Sequence, residues 1–168
     1  LAGGNTKYTA GAMRFCYAAS EDLLPLLADP NDARVAISDF GQYSPEKFKT
    51  DLLGFNEGAP LTPEQEILIA ESYDTMVWLA GHGVTYDPIW ARQSFKKDGK
   101  IIFWGGLTLA AQNEGVGLFD MELAAFIKLG GTVRYNSEFA VLLTENGKVT
   151  GVSLVYGEEI FAKSVILA

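Results

Sequence analysis

With 168 residues the chain has the size of one domain, able to bury roughly 70% of the surface its unfolded form exposes. A formal net charge of -8, with 48% hydrophobic and 20% charged residues, argues against electrostatic binding to nucleic acid or anionic membrane. One cysteine, Cys16, excludes an internal disulfide, one histidine, His82, leaves little for a soft-metal site, and no apolar run approaches the ~18 residues of a membrane span. No signal peptide is visible, and a cytoplasmic location is the expectation.

The chain opens on "LAGGNTKYTAGAM", residues 1–13, where glycines, an Asn and hydroxyl side chains suit close backbone approach to something polar. Gly11 interrupts a weak helix from Tyr8 to Tyr17. Ser20 can cap a short turn before Pro25. Asp29-Pro30-Asn31-Asp32 is a loop by its turn residues. Ser44-Pro45 starts a helix with an apolar stripe of Phe48, Leu52 and Phe55. Thr62-Pro63-Glu64-Gln65 is a capping box that opens the clearest helix, with Ile69, Tyr73, Met76, Val77 and Ala80 at helical spacing and Gly81 and Gly83 at its end. Asp98-Gly99 predicts a hairpin inside "FKKDGKIIFW". After the glycine-rich Gly105–Leu118 stretch a helix is expected from about Gly117 to Leu129, stopped by Gly130-Gly131.

The last forty residues are β in pattern. Asn146-Gly147 and Tyr156-Gly157-Glu158 divide Val141–Thr144, Lys148–Tyr156 and Glu159–Ala162 into a three-stranded antiparallel meander. "TVRYN" (132–136) alternates like a strand, and "SVILA" (164–168) is a continuous apolar run suited to a parallel sheet. These two are expected to pair. The segment is expected to be marginal alone, because both strands would lack neighbours and expose backbone edges. The fold class is therefore α/β.

The blocks "GGNTKYTAGAMRF" (3–15), "FWGGLT" (103–108), "GVGL" (115–118), "GGTVRYNSEFAVLLTENGKVTGV" (130–152) and "AKSVILA" (162–168) resemble the flavoprotein subunit family of fumarate reductases and succinate dehydrogenases. Within it the chain is most similar to the tricarballylate dehydrogenase branch. The resemblance covers nearly the whole chain and implies a segment of a Rossmann-like FAD-binding domain. The chain has no GxGxxG within a βαβ unit, so the dinucleotide-binding βαβ unit and the capping domain of the family are expected outside residues 1–168.

The resemblance implies FAD-dependent oxidation or reduction of a small polycarboxylate, with hydride passing between a C–H bond and flavin N5. The implied partners are that carboxylate substrate and an electron-transfer protein. It places Gly3, Gly4, Asn5 and Thr6 near the pyrophosphate and ribityl chain, adds Thr9 as a donor, sets Ala10 and Gly11 against the flavin ring, and puts Ala140 against the adenine. Ala168 joins the cofactor contacts. Ala12 stands where the family usually has a second glycine. Gly105, Gly106 and Thr108 are implied on the substrate side, with Gly115 to Gly117 opening a helix beneath the flavin. Asn5 stands where covalent members carry a flavin-bearing histidine, so the FAD is expected to be noncovalent. No catalytic residue and no metal ligand is named, since the family's catalytic Arg and His fall beyond Ala168.

Without the resemblance, Gly3-Gly4 is a plain turn, the glycines from 105 to 117 a flexible loop, and Ala140 a small side chain in an edge strand. His82 reads as a helix C-terminal residue, Cys16 as a small buried apolar one, and Tyr86, Trp90, Arg92 and Trp104 as a substrate wall or satellite core. An inactive scaffold, an interaction fragment and a ketosteroid-type dehydrogenase are the other readings.

Overall fold

The computed structural model describes residues 2–167, a mixed α/β chain. Residues 3–130 form one compact unit, and those from 131 onward a second.

In the first unit the opening loop passes through a 3₁₀ turn, Thr6–Tyr8, into a two-residue strand, β1 (Ala12–Met13). A further pair of 3₁₀ turns, Ser20–Asp22 and Leu24–Leu26, leads to the short α1 (Ala33–Ala36) and to β2 (Ser38–Asp39). Then come α2 (Pro45–Phe55) and α3 (Pro63–Gly81). Four strands follow, β3 (Tyr86–Pro88), β4 (Ser94–Lys97), β5 (Lys100–Phe103) and β6 (Leu109–Ala111), and then α4 (Glu114–Lys128).

The local chemistry of these elements is explicit. Ser44 Oγ accepts from the Lys47 N–H at 3.2 Å to open α2. At α3, Thr62 Oγ1 accepts from the Gln65 N–H at 3.3 Å while Gln65 Oε1 accepts from the Thr62 N–H at 3.1 Å, a reciprocal capping box. His82 is the C-cap of α3, with Nδ1 2.8 Å from the Trp78 carbonyl. The β4–β5 hairpin turns on Asp98 and Gly99, both in the left-handed region at φ 50° and 79°. That is the type I′ geometry which matches strand twist.

Two three-stranded sheets result, with strand orders β1-β6-β3 and β2-β5-β4. The first is antiparallel throughout, and β2 joins β5 in parallel. Phe15, Leu23, Phe40, Tyr86 and Leu109 form the driest part of the core, against which Phe48, Ile69 and Met76 pack from α2 and α3. Cys16 is buried there as expected. Its N–H donates to Ser72 Oγ at 3.0 Å, and burial pushes its thiol up from the ordinary value. Of the stripe expected on α2, Phe48 is buried and Leu52 half-buried, but Phe55 is 82% exposed.

The second unit is the meander. β7 (Phe139–Glu145), β8 (Lys148–Leu154) and β9 (Glu159–Phe161) run antiparallel in that order. Asn146 and Gly147, at φ 50° and 76°, make the first turn. Gly151 is required by the third strand, because a Cβ there would stand 2.2 Å from the Ile160 carbonyl oxygen.

Three expectations are corrected. There is no helix from Tyr8 to Tyr17: Thr9 is extended and Gly11 takes φ 61°, so the chain leaves its 3₁₀ turn for β1. α4 starts at Glu114 rather than Gly117. Thr132–Asn136 is not a strand paired with 164–168. Asn136 turns the backbone at φ 55°, the Arg134 fork instead holds Glu158 at 2.9 and 2.7 Å, and residues 164–167 are in no strand. The parallel strand pair among the described residues is β2–β5.

Candidate functional site

The opening loop is built against the start of α4. The Gly115 N–H donates to the Thr9 carbonyl at 3.1 Å, and the Ala111 N–H donates to the Gly11 carbonyl at 2.8 Å. Two glycines make this approach possible. A Cβ on Gly115 would lie 2.1 Å from the Thr6 carbonyl oxygen, and one on Gly11 would lie 2.7 Å from the Glu114 carbonyl carbon. Both contacts are with backbone, which cannot swing aside. Gly117 is equally confined, 1.8 Å from the Gln112 oxygen by the same measure. Gly11, Gly115 and Gly117 are thus explained by packing.

Gly3 and Gly4 are not in that class. They take φ 89° and 42°, and nothing lies within 4 Å of where a Gly4 Cβ would stand. The Gly4 backbone therefore faces open space that a polar group can approach without side-chain bulk. Asn5 is exposed and its side chain makes no capping bond to the 3₁₀ turn that follows. Thr6 and Ala10 are half-buried. Thr9 is committed to the loop itself: its Oγ1 donates to the Thr6 carbonyl at 2.8 Å and accepts from the Gly11 N–H at 3.2 Å. Of the expected side-chain donors, Asn5 is the one left presented to solvent by this geometry, and Thr9 instead fixes the loop's shape.

The same ladder carries the second candidate region. Residues 11–15 run antiparallel to 106–111, from Gly11 beside Ala111, through Ala12 opposite Ala110 and Met13 opposite Leu109, to the Phe15 N–H on the Gly106 carbonyl at 3.4 Å. Gly105 and Gly106 therefore lie in the turn beyond the far end of this ladder from Gly11. Their φ values are 87° and 78°, and a Cβ on Gly106 would meet the Arg14 guanidinium at 2.7 Å and the Tyr43 ring at 2.9 Å. Around them is a charged cluster. Arg14 donates to Tyr43 Oη at 3.0 Å, Tyr43 donates to Asp51 at 2.7 Å, and Lys47 bonds the other Asp51 oxygen. Burial, and then the Asp51 carboxylate, push Tyr43 up to about 12, while the bonds from Lys47 and Tyr43 hold the Asp51 carboxyl low. Thr108 is fully buried, and its hydroxyl is 2.8 Å from Tyr17 Oη, which donates to the Phe40 carbonyl at 2.8 Å. Its polar group is satisfied in the core.

Ala140 lies exposed on β7 at an irregularity in the β7–β8 register, in the second unit. Ala168 falls outside the described residues. The aromatic stretch divides: Tyr86 is in the core, Trp90 packs edge-on to Phe103, Trp104 is 67% exposed on Phe95, and Arg92 pairs with Glu114 at 3.3 Å.

One feature had no signal in spacing or composition. α4 opens on two consecutive left-handed residues, Asn113 at φ 62° and Glu114 at φ 55°. Such positions cost of order 1–3 kcal/mol each and persist where the surroundings hold them, here the docked glycine loop. Asn tolerates this region better than most residues, and that was the available clue.

No protein-family model and no curated protein matches the chain.

Proposed function

We propose that this chain is the flavin-binding part of an FAD-dependent oxidoreductase of the fumarate reductase and succinate dehydrogenase flavoprotein type, acting on a small polycarboxylate. The observation that supports it is the opening loop: Gly4 presents unencumbered backbone, while Gly11 and Gly115 lock the rest of the loop to the start of α4.

The chemistry that a bound flavin supplies is acceptance or donation of hydride at N5. The chain's own work is binding and orientation. Backbone around Gly4 and the Asn5 amide would hold the phosphates and ribityl hydroxyls. The Thr9 hydroxyl, bonded on both sides, holds the turn that leads to Ala10 and Gly11, which would border the ring. Fixed donors of this kind need no reorganisation as charge develops on the cofactor. The polycarboxylate specificity and an electron-transfer partner rest on the resemblance alone.

The test uses the intact gene product, purified, denatured in acid and passed through a size filter. The filtrate is expected to be yellow, because Asn5, at the position where covalent members of the family carry a flavin-bearing histidine, has no nucleophilic nitrogen to tether flavin. Colourless protein that takes up no added FAD sinks the flavin reading. Colour retained on the polypeptide overturns the noncovalent attachment, and a flavin-bearing peptide containing His82 or Cys16 would locate the bond.

A further inference from the structure

Lys7 is the cation of the opening loop, and its side chain is folded back across it. Three of its carbons stand 2.4, 2.5 and 2.6 Å from where a Gly3 Cβ would be, so the stem occupies the place of a side chain at Gly3. Its N–H donates to the Gly3 carbonyl at 3.4 Å. The ammonium then reaches α4, 4.8 Å from the centroid of Phe119 and 3.5 Å from Asp120 Oδ1. Gly3 is thereby explained twice over: it takes φ 89°, and any larger residue would displace the Lys7 stem.

We infer that Lys7 is a positioning residue, a latch that ties the ligand-facing turn Gly3–Thr6 to α4 and holds it in binding shape before ligand arrives. The role rests on the reading of this loop as a cofactor loop. Each contact is weak alone, since a partly exposed ion pair and a partly exposed cation–π contact are both modest. Together they act at the far end of a loop whose other end is already fixed by Gly11 and Gly115. A preorganised loop loses less freedom when its ligand binds, so the latch is felt in affinity.

The opposing arrangement is that the ammonium touches the anionic ligand directly, with Asp120 merely competing for it. The charges separate the two. A latch needs Asp120, so Asp120→Asn loosens the loop and weakens binding. For a direct ligand contact, removing the Asp120 charge frees the ammonium and tightens binding.

The experiment uses the intact protein and its Lys7→Ala, Lys7→Arg and Asp120→Asn variants. Amide exchange of residues 3–9 is measured without flavin, and affinity is measured by titrating FAD into flavin-stripped protein. Lys7→Ala is expected to speed exchange in the loop several-fold and to weaken FAD about three- to tenfold, in proportion to contacts of this strength. Asp120→Asn is expected to do the same to a smaller degree, and Lys7→Arg to restore most of both. Unchanged loop exchange in Lys7→Ala, or tighter FAD binding in Asp120→Asn, overturns the latch. If the parent protein binds no FAD, the cofactor reading fails while the exchange measurement still decides whether Lys7 orders the loop.

Discussion

Two tyrosines at the same depth make opposite demands. Tyr86 is fully buried, and among the described residues its hydroxyl has no hydrogen-bond partner. Tyr17 is nearly as dry, but its hydroxyl donates to the Phe40 carbonyl and accepts from Thr108, both at 2.8 Å. A buried polar group without a partner carries its full desolvation cost, whereas removing one member of a satisfied set strands the others. Tyr86→Phe is therefore expected to leave stability unchanged or raise it by about 1 kcal/mol, and Tyr17→Phe to lower it by about 1–3 kcal/mol. Urea unfolding of the two variants checks both. A marked loss in Tyr86→Phe would mean that its hydroxyl is partnered. Residue chemistry of this kind was only partly legible in the chain. His82 took its ordinary role because that role depends on Trp78, four positions away, whereas the burial of Cys16 followed from its apolar character although its partners Ile69 and Ser72 are distant in the chain. Thr108 sat in a glycine-rich stretch that looked open, and its partner is 91 positions distant in the chain.

At the scale of the element, the signals that could be read were those closed within a few residues. Thr62 and Gln65 satisfy each other's backbone N–H groups, and Asp98-Gly99 and Asn146-Gly147 take the positive φ values that their turns demand. The elements that were misread depend on distant partners. β1 is two residues long, too short to show a period, and exists because β6 lies beside it. The start of α4 is set by the loop packed on Gly115, a contact that no local pattern announces. "TVRYN" alternates like a strand, yet alternation creates a strand only where a ladder is available. The cap at Thr62 offers a direct test, since the helix it opens buries Ile69, Ser72 and Met76. Thr62→Ala is expected to cost about 1 kcal/mol, and Thr62→Ser much less. Equal thermal midpoints for the parent and Thr62→Ala would show that the cap does not hold this helix end.

For the molecule as a whole, buried phenols set an upper limit on working pH. Tyr43 and Tyr86 are each pushed up to about 12, chiefly by burial, and burial raises Tyr17 and Tyr73 as well. All four lie within residues 3–130. In the unfolded chain each returns to the ordinary value of 10.0. Between about pH 10 and pH 12 the folded state thus holds protons that the unfolded state has released, and stability falls as pH rises. Two carboxyls act near the acid end in opposite senses. Asp51 is held low by Lys47 and Tyr43, so its contribution is lost on acidification, whereas Glu122 is raised by desolvation, so its ionisation opposes folding as pH rises through its range. Denaturant midpoints are expected to be level near neutrality and to fall steeply above about pH 10, with the phenolate absorbance of the buried rings appearing only as the protein unfolds. Alkali also neutralises lysines and deepens a net charge that is already -8, so a fall in the midpoint alone does not single out the phenols. Tyr86→Phe separates the causes. It removes one shifted phenol, breaks no hydrogen bond identified for that hydroxyl, and leaves every lysine in place. The variant's midpoint should fall less steeply than the parent's between about pH 10 and pH 12. Parallel curves would show that the lysines and net charge, rather than the buried tyrosines, govern alkaline unfolding.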